Sequence, residues 1–225
     1  MTGKQRAGER ATDFVRDGMV VGLGTGTTVY WTIRRLGELV RGGLRIQGIP
    51  TSRRTEALAI EEGIPLTTFE RVGELDLTID GADEVGPGLE LIKGGGGALL
   101  RERLVAAASR RLIIVVESSK LVPTLGRFPL PVEIVPFAWE ITARRIAAHG
   151  CIPTLRRSNS QPFLTDNGNY IVDCEFGAIP DPAALHQRLK LLPGVVETGL
   201  FVDMAELVVV GYDDSETVEL LTREN

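Results

Sequence analysis

Asp80-Gly-Ala-Asp-Glu84 is followed by Leu91-Ile-Lys-Gly-Gly-Gly-Gly-Ala98 and then by Glu102. The acids Asp80, Asp83, Glu84 and Glu102 thus share a short span with Lys93 and the glycine run Gly94, Gly95, Gly96 and Gly97. A glycine run lets a ligand approach the backbone, because no Cβ stands in the way and positive φ is allowed. Consecutive glycines also cost conformational entropy on folding, so they call for a use. Acids and a lysine beside such a run suit a small polar substrate that exchanges protons. The apolar stretch Leu75 to Ile79 reads as a strand, which puts the acids at its carboxyl end, where α/β sheets bind ligands. Glu102 falls in the helix after the glycines, and spacing alone makes it a surface charge.

Three more segments sit at strand ends. Gly22-Leu-Gly-Thr-Gly-Thr-Thr28 follows a strand and opens a helix, so its backbone N–H groups and the helix dipole make an anion site. The hydroxyls of Thr25, Thr27 and Thr28, with Gly26 between them, suit phosphate. The dinucleotide fingerprint fails here, because residue 27 is not glycine and no acid ends the second strand; a phosphate-loop lysine is also missing. Thr51-Ser-Arg-Arg-Thr55 is by itself a plain helix N-cap, and beside the first loop it becomes a second candidate for the pocket rim. Glu117-Ser-Ser-Lys120 closes the strand Leu112 to Val116, and its placement favours function over a plain surface loop. His149 and His186 each stand alone on amphipathic helices and read as structural or solvent-facing, so no metal is assigned. Trp31 and Trp139 fit helix faces packed on a core.

The elements that must carry these loops alternate in the first half. Strands are expected at Met19 to Gly22, Leu44 to Ile49, Leu66 to Phe69, Leu75 to Ile79 and Leu112 to Val116. Helices are expected at Thr27 to Val40, Ser52 to Glu62 and Gly97 to Ser109. Fully apolar strands alternating with helices argue for a mostly parallel sheet covered by helices. After Pro129-Leu-Pro131 the order becomes β-α-β-β-α-β, with a hairpin expected over Phe163 to Val172, the order of a ferredoxin-like unit. The fold class is therefore α/β. Residues 1–130 with 204–225 form a Rossmann-like domain, and 131–203 a small inserted α+β domain.

Composition narrows the partners. The 225 residues carry a net charge of −5, with 43% hydrophobic and 24% charged, ordinary values for a globular protein. The acidic balance argues against nucleic acid or an anionic membrane as main partner and leaves small molecules and proteins. No apolar run approaches a membrane span, and the first ten residues lack a signal peptide's apolar core, so a cytoplasmic location is expected. Cys151 and Cys174, the only cysteines, match no metal spacing. Lysine is scarce, four of 25 basic residues, and two of the four are Lys93 and Lys120. An ammonium at those positions is not interchangeable with a guanidinium.

These segments, in this order, resemble the ribose-5-phosphate isomerases of the A type. The resemblance is carried by Gly22 to Thr28, Asp80 to Glu84, Lys93 to Gly96 with Glu102, Ser119-Lys120, Pro129-Leu-Pro-Val-Glu-Ile134, Thr165-Asp-Asn-Gly-Asn169 and Pro193-Gly-Val-Val196. Thr27 stands where serine is usual, and Glu117 where aspartate is frequent. The resemblance implies interconversion of D-ribose 5-phosphate and D-ribulose 5-phosphate with no metal and no organic cofactor. It implies Glu102 as proton acceptor, suited to this if its pKa is raised towards neutrality, with Lys93 and backbone N–H groups of Gly94, Gly95 and Gly96 facing the enediolate. Asp80 and Asp83, with Gly81 and Ala82 between them, would handle sugar hydroxyls and ring opening. Thr25 to Thr28 and Lys120 would hold the phosphate. A homodimer or homotetramer is also implied. A non-catalytic sugar-phosphate sensor and an acyl or CoA transferase are the competing classes.

Overall fold

The computed structural model describes residues 1–223. The chain divides into two compact units: Met1–Ala82, Arg101–Leu121 and the stretch from Asp203 onward, and then Asp83–Leu100 with Val122–Val202. From the N-terminus run α1 (Gly3–Ala11), β1 (Val20–Leu23), α2 (Val29–Arg41), β2 (Gln47–Pro50), α3 (Arg53–Glu61) and β3 (Leu77–Asp80). The middle holds β4 (Glu84–Val85), β5 (Leu91–Ile92), α4 (Leu99–Ala107), β6 (Leu112–Glu117), β7 (Leu130–Ile134), α5 (Trp139–Ala147), β8 (Ile152–Leu155), β9 (Arg157–Ser158) and β10 (Gln161–Pro162). The last part holds β11 (Tyr170–Glu175), α6 (Pro182–Lys190), β12 (Val195–Thr198), β13 (Leu200–Phe201), β14 (Leu207–Gly211) and β15 (Val218–Thr222).

In the first unit one sheet has the order β15-β14-β6-β3-β1-β2. All its neighbours are parallel except β15, which returns antiparallel to β14. Chain order reverses between β1 and β3, the switch point at which open α/β sheets bind ligands beyond the strands' carboxyl ends. β6 and β14 are continuous runs of Leu, Ile and Val because helices cover both faces, and Leu112 to Val116 and Leu207 to Gly211 are all buried. α2 presents Val29, Ile33 and Leu36 at helical spacing to that core and stops at Gly42. α3 begins at Ser52, whose side chain accepts the Thr55 N–H. α1 lies very close to its neighbours: a Cβ on Gly8 would come within 2.7 Å of the Thr28 carbonyl oxygen, and one on Gly3 within 2.8 Å of the Gly211 carbonyl oxygen.

The second unit has a four-stranded sheet ordered β12-β7-β11-β8, antiparallel throughout. With α5 and α6 this is the ferredoxin-like arrangement that the β-α-β-β-α-β order predicts. A separate three-stranded sheet, β13-β5-β4, carries the acid and lysine segments.

Several local expectations shift. Leu66 to Phe69 makes only an isolated bridge from Leu66 to Gly48, because the chain leaves the sheet edge after one pairing. Phe163 to Val172 is not a hairpin. Thr165 to Asn169 do form a turn, but β11 pairs with β7 and β8, and the hairpin there is β9–β10. Val195 to Val202 divides into β12 and β13 in two different sheets. Among the described residues, no helix is long and apolar enough to cross a membrane.

Ile113 is fully buried in β6, whereas Leu220 on the edge strand β15 is 42% exposed. Ile113→Ala should therefore lower the unfolding free energy by about 2–5 kcal/mol, and Leu220→Ala by less than about 1 kcal/mol, in urea titration.

Candidate active site

At the carboxyl end of β3, Asp80 is wholly buried. Its Oδ1 accepts the Thr25 N–H at 3.0 Å and the Gly81 N–H at 2.7 Å. Gly24 makes this approach feasible, since a Cβ there would lie 2.5 Å from the Asp80 Cα. The β1–α2 loop is thus drawn onto Asp80 by its own backbone.

The Thr25 side chain has a different use. Its Oγ1 lies 2.8 Å from Thr51 Oγ1, 2.8 Å from Ser52 Oγ and 3.0 Å from Thr55 Oγ1, and all four hydroxyl residues are buried. Thr55 Oγ1 also donates to the Gly24 carbonyl, and Thr51 Oγ1 to that of Leu23. The Thr51 to Thr55 segment is therefore both the N-cap of α3 and a brace that ties the end of β2 to the loop after β1. Gly26, partly exposed with φ of 148°, and Thr27, exposed, form the open crest of the loop. Thr28 is buried at the N-cap of α2.

Lys120 ends the short turn Ser118–Lys120 that follows β6. A second lysine, Lys4, lies at the same strand end, with its Nζ 3.5 Å from Glu117 Oε1. Sequence reading missed Lys4, because nothing in its own neighbourhood marks it. Only the close packing of α1 brings it to the end of β6.

Glu102 is the main departure from the surface position expected of it: it is only 3% exposed. On α4, Leu99, Glu102, Val105 and Ala106 share the three- and four-residue spacing of one helical face, and all are buried. That spacing is a signal in the sequence, masked because a glutamate stood where the stripe calls for an apolar residue.

The remaining candidates belong to the second unit. Asp83 Oδ2 accepts the Gly95 N–H at 2.7 Å, and a Cβ on Gly95 would lie 2.5 Å from Asp83 Oδ1. Gly94 has φ of 102°, a left-handed conformation in which its absent side chain matters. Gly95 and Gly96 are exposed at the crest of the run. Lys93 is 2% exposed; its backbone N–H donates to the Gly199 carbonyl, and its ammonium lies 5.4 Å from the centroid of the Phe201 ring. Arg156, also missed in the sequence, donates to the carbonyls of Gly94 at 2.9 Å and Gly95 at 3.2 Å and is held in turn by Asp173. Glu84, which had no role, accepts the N–H groups of Gly126 at 2.7 Å and Phe128 at 2.6 Å, and so fastens the loop before β7. His186 Nδ1 lies 2.7 Å from Thr198 Oγ1.

Similarity to known proteins extends over nearly the whole chain. The family model described as ribose 5-phosphate isomerase A (phosphoriboisomerase A) matches residues 47–215. A ribose-5-phosphate isomerase A of Bacillus thuringiensis subsp. konkukian is 62% identical over 209 residues, which cover 92% of this chain and 95% of the relative. The ribose 5-phosphate isomerase of Plasmodium falciparum superposes with a TM-score of 0.94 at 40% identity, covering 99% of this chain and 98% of that one. A D-ribose-5-phosphate isomerase solved in complex with phospho-erythronic acid gives a TM-score of 0.93 at 40% identity, covering 98% and 97%. The chain belongs to the ribose-5-phosphate isomerase A family.

Proposed function

We propose that this chain carries out its family's reaction, the interconversion of D-ribose 5-phosphate and D-ribulose 5-phosphate in the pentose phosphate pathway, through an enediolate with Glu102 as proton carrier. The observation that carries this reading is a carboxylate 3% exposed on the otherwise apolar face of α4. A glutamate kept from water at such a position costs stability unless hydrogen bonds or opposite charge offset it, which makes its retention there a pointer to use.

The chemistry assigns the other roles. Ring opening frees the C1 aldehyde of the aldose, and Asp80 and Asp83 are suited to exchanging protons with the sugar hydroxyls. Glu102 takes the C2 proton, the electron pair forms a C1–C2 double bond, and negative charge develops on the C1 oxygen. Lys93 and the N–H groups of Gly94 and Gly96 stabilise that oxyanion, while that of Gly95 is held by Asp83. Transfer of the O2 proton to O1 and return of the carried proton to C1 give the ketose. The N-terminus of α2 with Thr27 and Thr28 receives the phosphate, and Lys120 and Lys4 add charge at the neighbouring strand end. A relative solved with phospho-erythronic acid, a phosphorylated sugar acid, fits a site that takes a phosphate at one end and an anionic carbon centre at the other.

A cytoplasmic location and a dimer or tetramer belong to the same reading. Phe137 and Leu191, 88% and 83% exposed, are apolar side chains of the kind that subunit contacts cover. Light scattering on the purified protein tests this, with a monomer contradicting it.

Glu102→Gln should cut kcat by at least about a thousandfold while substrate Kd stays within about tenfold, because it removes a step made only in the transition state. Near-normal kcat would remove Glu102 as the base. Lys120→Ala should raise KM for ribose 5-phosphate by about tenfold or more with a smaller change in kcat, as for a lost charge-assisted contact to phosphate. Steady-state ketose formation measures both, and an unchanged KM would take Lys120 out of the phosphate site.

A further inference from the structure

Gly94 to Gly97 form a turn, closed by the Gly97 N–H, which donates to the Gly94 carbonyl at 2.9 Å. In a turn of this kind the peptide between the two central residues can turn over while the ends stay in place, which is what separates type I from type II. Both central residues here, Gly95 and Gly96, are glycine, so sterics leave either orientation open. Something outside the turn must choose.

Arg156 meets the turn at that peptide. It lies between β8 and β9, in the same unit as the turn, and its backbone is fixed on both sides. Its N–H donates to the Ile171 carbonyl at 2.8 Å, and its carbonyl accepts the Phe163 N–H at 2.9 Å. In the side chain, Nε donates to Asp173 Oδ2 at 2.9 Å and Nη2 to Asp173 Oδ1, so one carboxylate grips the guanidinium side-on. That leaves Nη1, which donates to the carbonyls of Gly94 at 2.9 Å and Gly95 at 3.2 Å. The Phe163 ring, its centroid 5.8 Å from the guanidinium carbon, also lies against the far end of the turn, where a Cβ on Gly97 would come within 2.5 Å of it.

A trans peptide carries its C=O and its N–H on opposite sides. The Gly94–Gly95 peptide is pinned at both, its carbonyl by Arg156 and its N–H by Asp83 Oδ2 at 2.7 Å. In the Gly95–Gly96 peptide Arg156 takes the carbonyl, and this directs the Gly96 N–H away from the guanidinium. An oxyanion donor is worth most when its direction is set before the charge develops, because no reorganisation is then needed during reaction.

We infer that Arg156 is a positioning residue for the isomerisation: by holding the Gly95 carbonyl it selects the orientation of the central peptide in which the Gly96 N–H faces the enediolate, and Asp173 holds Arg156 to that task. The inference rests on the Gly96 N–H being a donor to the C1 oxyanion, as proposed for the reaction. Lysine does not replace arginine here, because an ammonium cannot grip Asp173 side-on and still reach both carbonyls.

The test compares Arg156→Ala, Arg156→Lys and Asp173→Asn in the full chain, with thermal melting and with kinetics on ribose 5-phosphate at a temperature where each is fully folded. Removing an oxyanion donor outright costs about a hundred- to a thousandfold in kcat, and a donor left free to turn away should cost less. Arg156→Ala should therefore lose about ten- to a hundredfold in kcat with KM within about threefold. Arg156→Lys should be nearly as slow. Methylguanidinium should raise kcat of Arg156→Ala by about threefold or more, where sodium chloride at equal ionic strength does not. Asp173→Asn should show a smaller fall of about two- to fivefold; it carries the test alone if Arg156→Ala does not fold, and parental kcat in it then overturns the inference. Parental kcat in Arg156→Ala, beside an active parent chain, would overturn the positioning role alone. A fall in kcat that methylguanidinium leaves unchanged and that follows the loss in Tm would also overturn it, by making the Arg156–Asp173 pair merely structural. No ketose from the parent chain would instead sink the proposed reaction, and the inference with it.

Discussion

An ionisable group withdrawn from water must be met by hydrogen bonds or opposite charge, or it will not stay charged. This chain withdraws several: Asp80 and Glu133 are wholly buried, and Glu84, Lys93 and Glu102 are between 1% and 3% exposed. The irregular parts of both units can be understood as means of holding these groups. The β1–α2 loop turns an N–H onto Asp80, the loop after Leu125 turns two onto Glu84, and the Thr165–Asn169 turn brings two side-chain donors to Glu133. Regular secondary structure supplies the walls, and the loops supply the donors.

Glycine is how the backbone comes close enough to do this. At Gly24 the limiting neighbours are the Asp80 carboxylate and Cα, and at Gly95 the Asp83 carboxylate. A side chain at either position would push the donor away from the acid that it serves. The hydroxyl cluster of Thr25, Thr51, Ser52 and Thr55 does related work, because hydroxyls can both give and accept and so tie two strand ends together without a net charge. These contacts are what makes burial of the acids tolerable.

Much of this was legible in the sequence. The alternation of apolar strands with helices, the β-α-β-β-α-β order and the placement of motifs at strand ends follow from periodicities of two and 3.6 and from turn chemistry, all of them local. What was not legible depends on distant packing. Lys4 reaches the end of β6 only because Gly3 and Gly8 let α1 lie close, and Arg156, between β8 and β9, clamps the glycine run from about sixty residues away. The expected Phe163 to Val172 hairpin failed for a similar reason: an Asn-Gly turn was present, but the strand after it found longer partners in β7 and β8 than the residues before it could offer. Glu102 is the intermediate case. Its position in the stripe of Leu99, Val105 and Ala106 was visible, and only the assumption that a glutamate faces water hid it.

The central claim is that one carboxylate moves the proton between C2 and C1. Isomerisation in D2O tests it most directly, by following deuterium at those carbons by NMR in the parent chain and in Glu102→Gln. The account predicts solvent deuterium in the sugar phosphate formed by the parent, and none above background in the variant, even where substrate is bound. Deuterium entering at the parental rate in Glu102→Gln would contradict it and move the proton to another group.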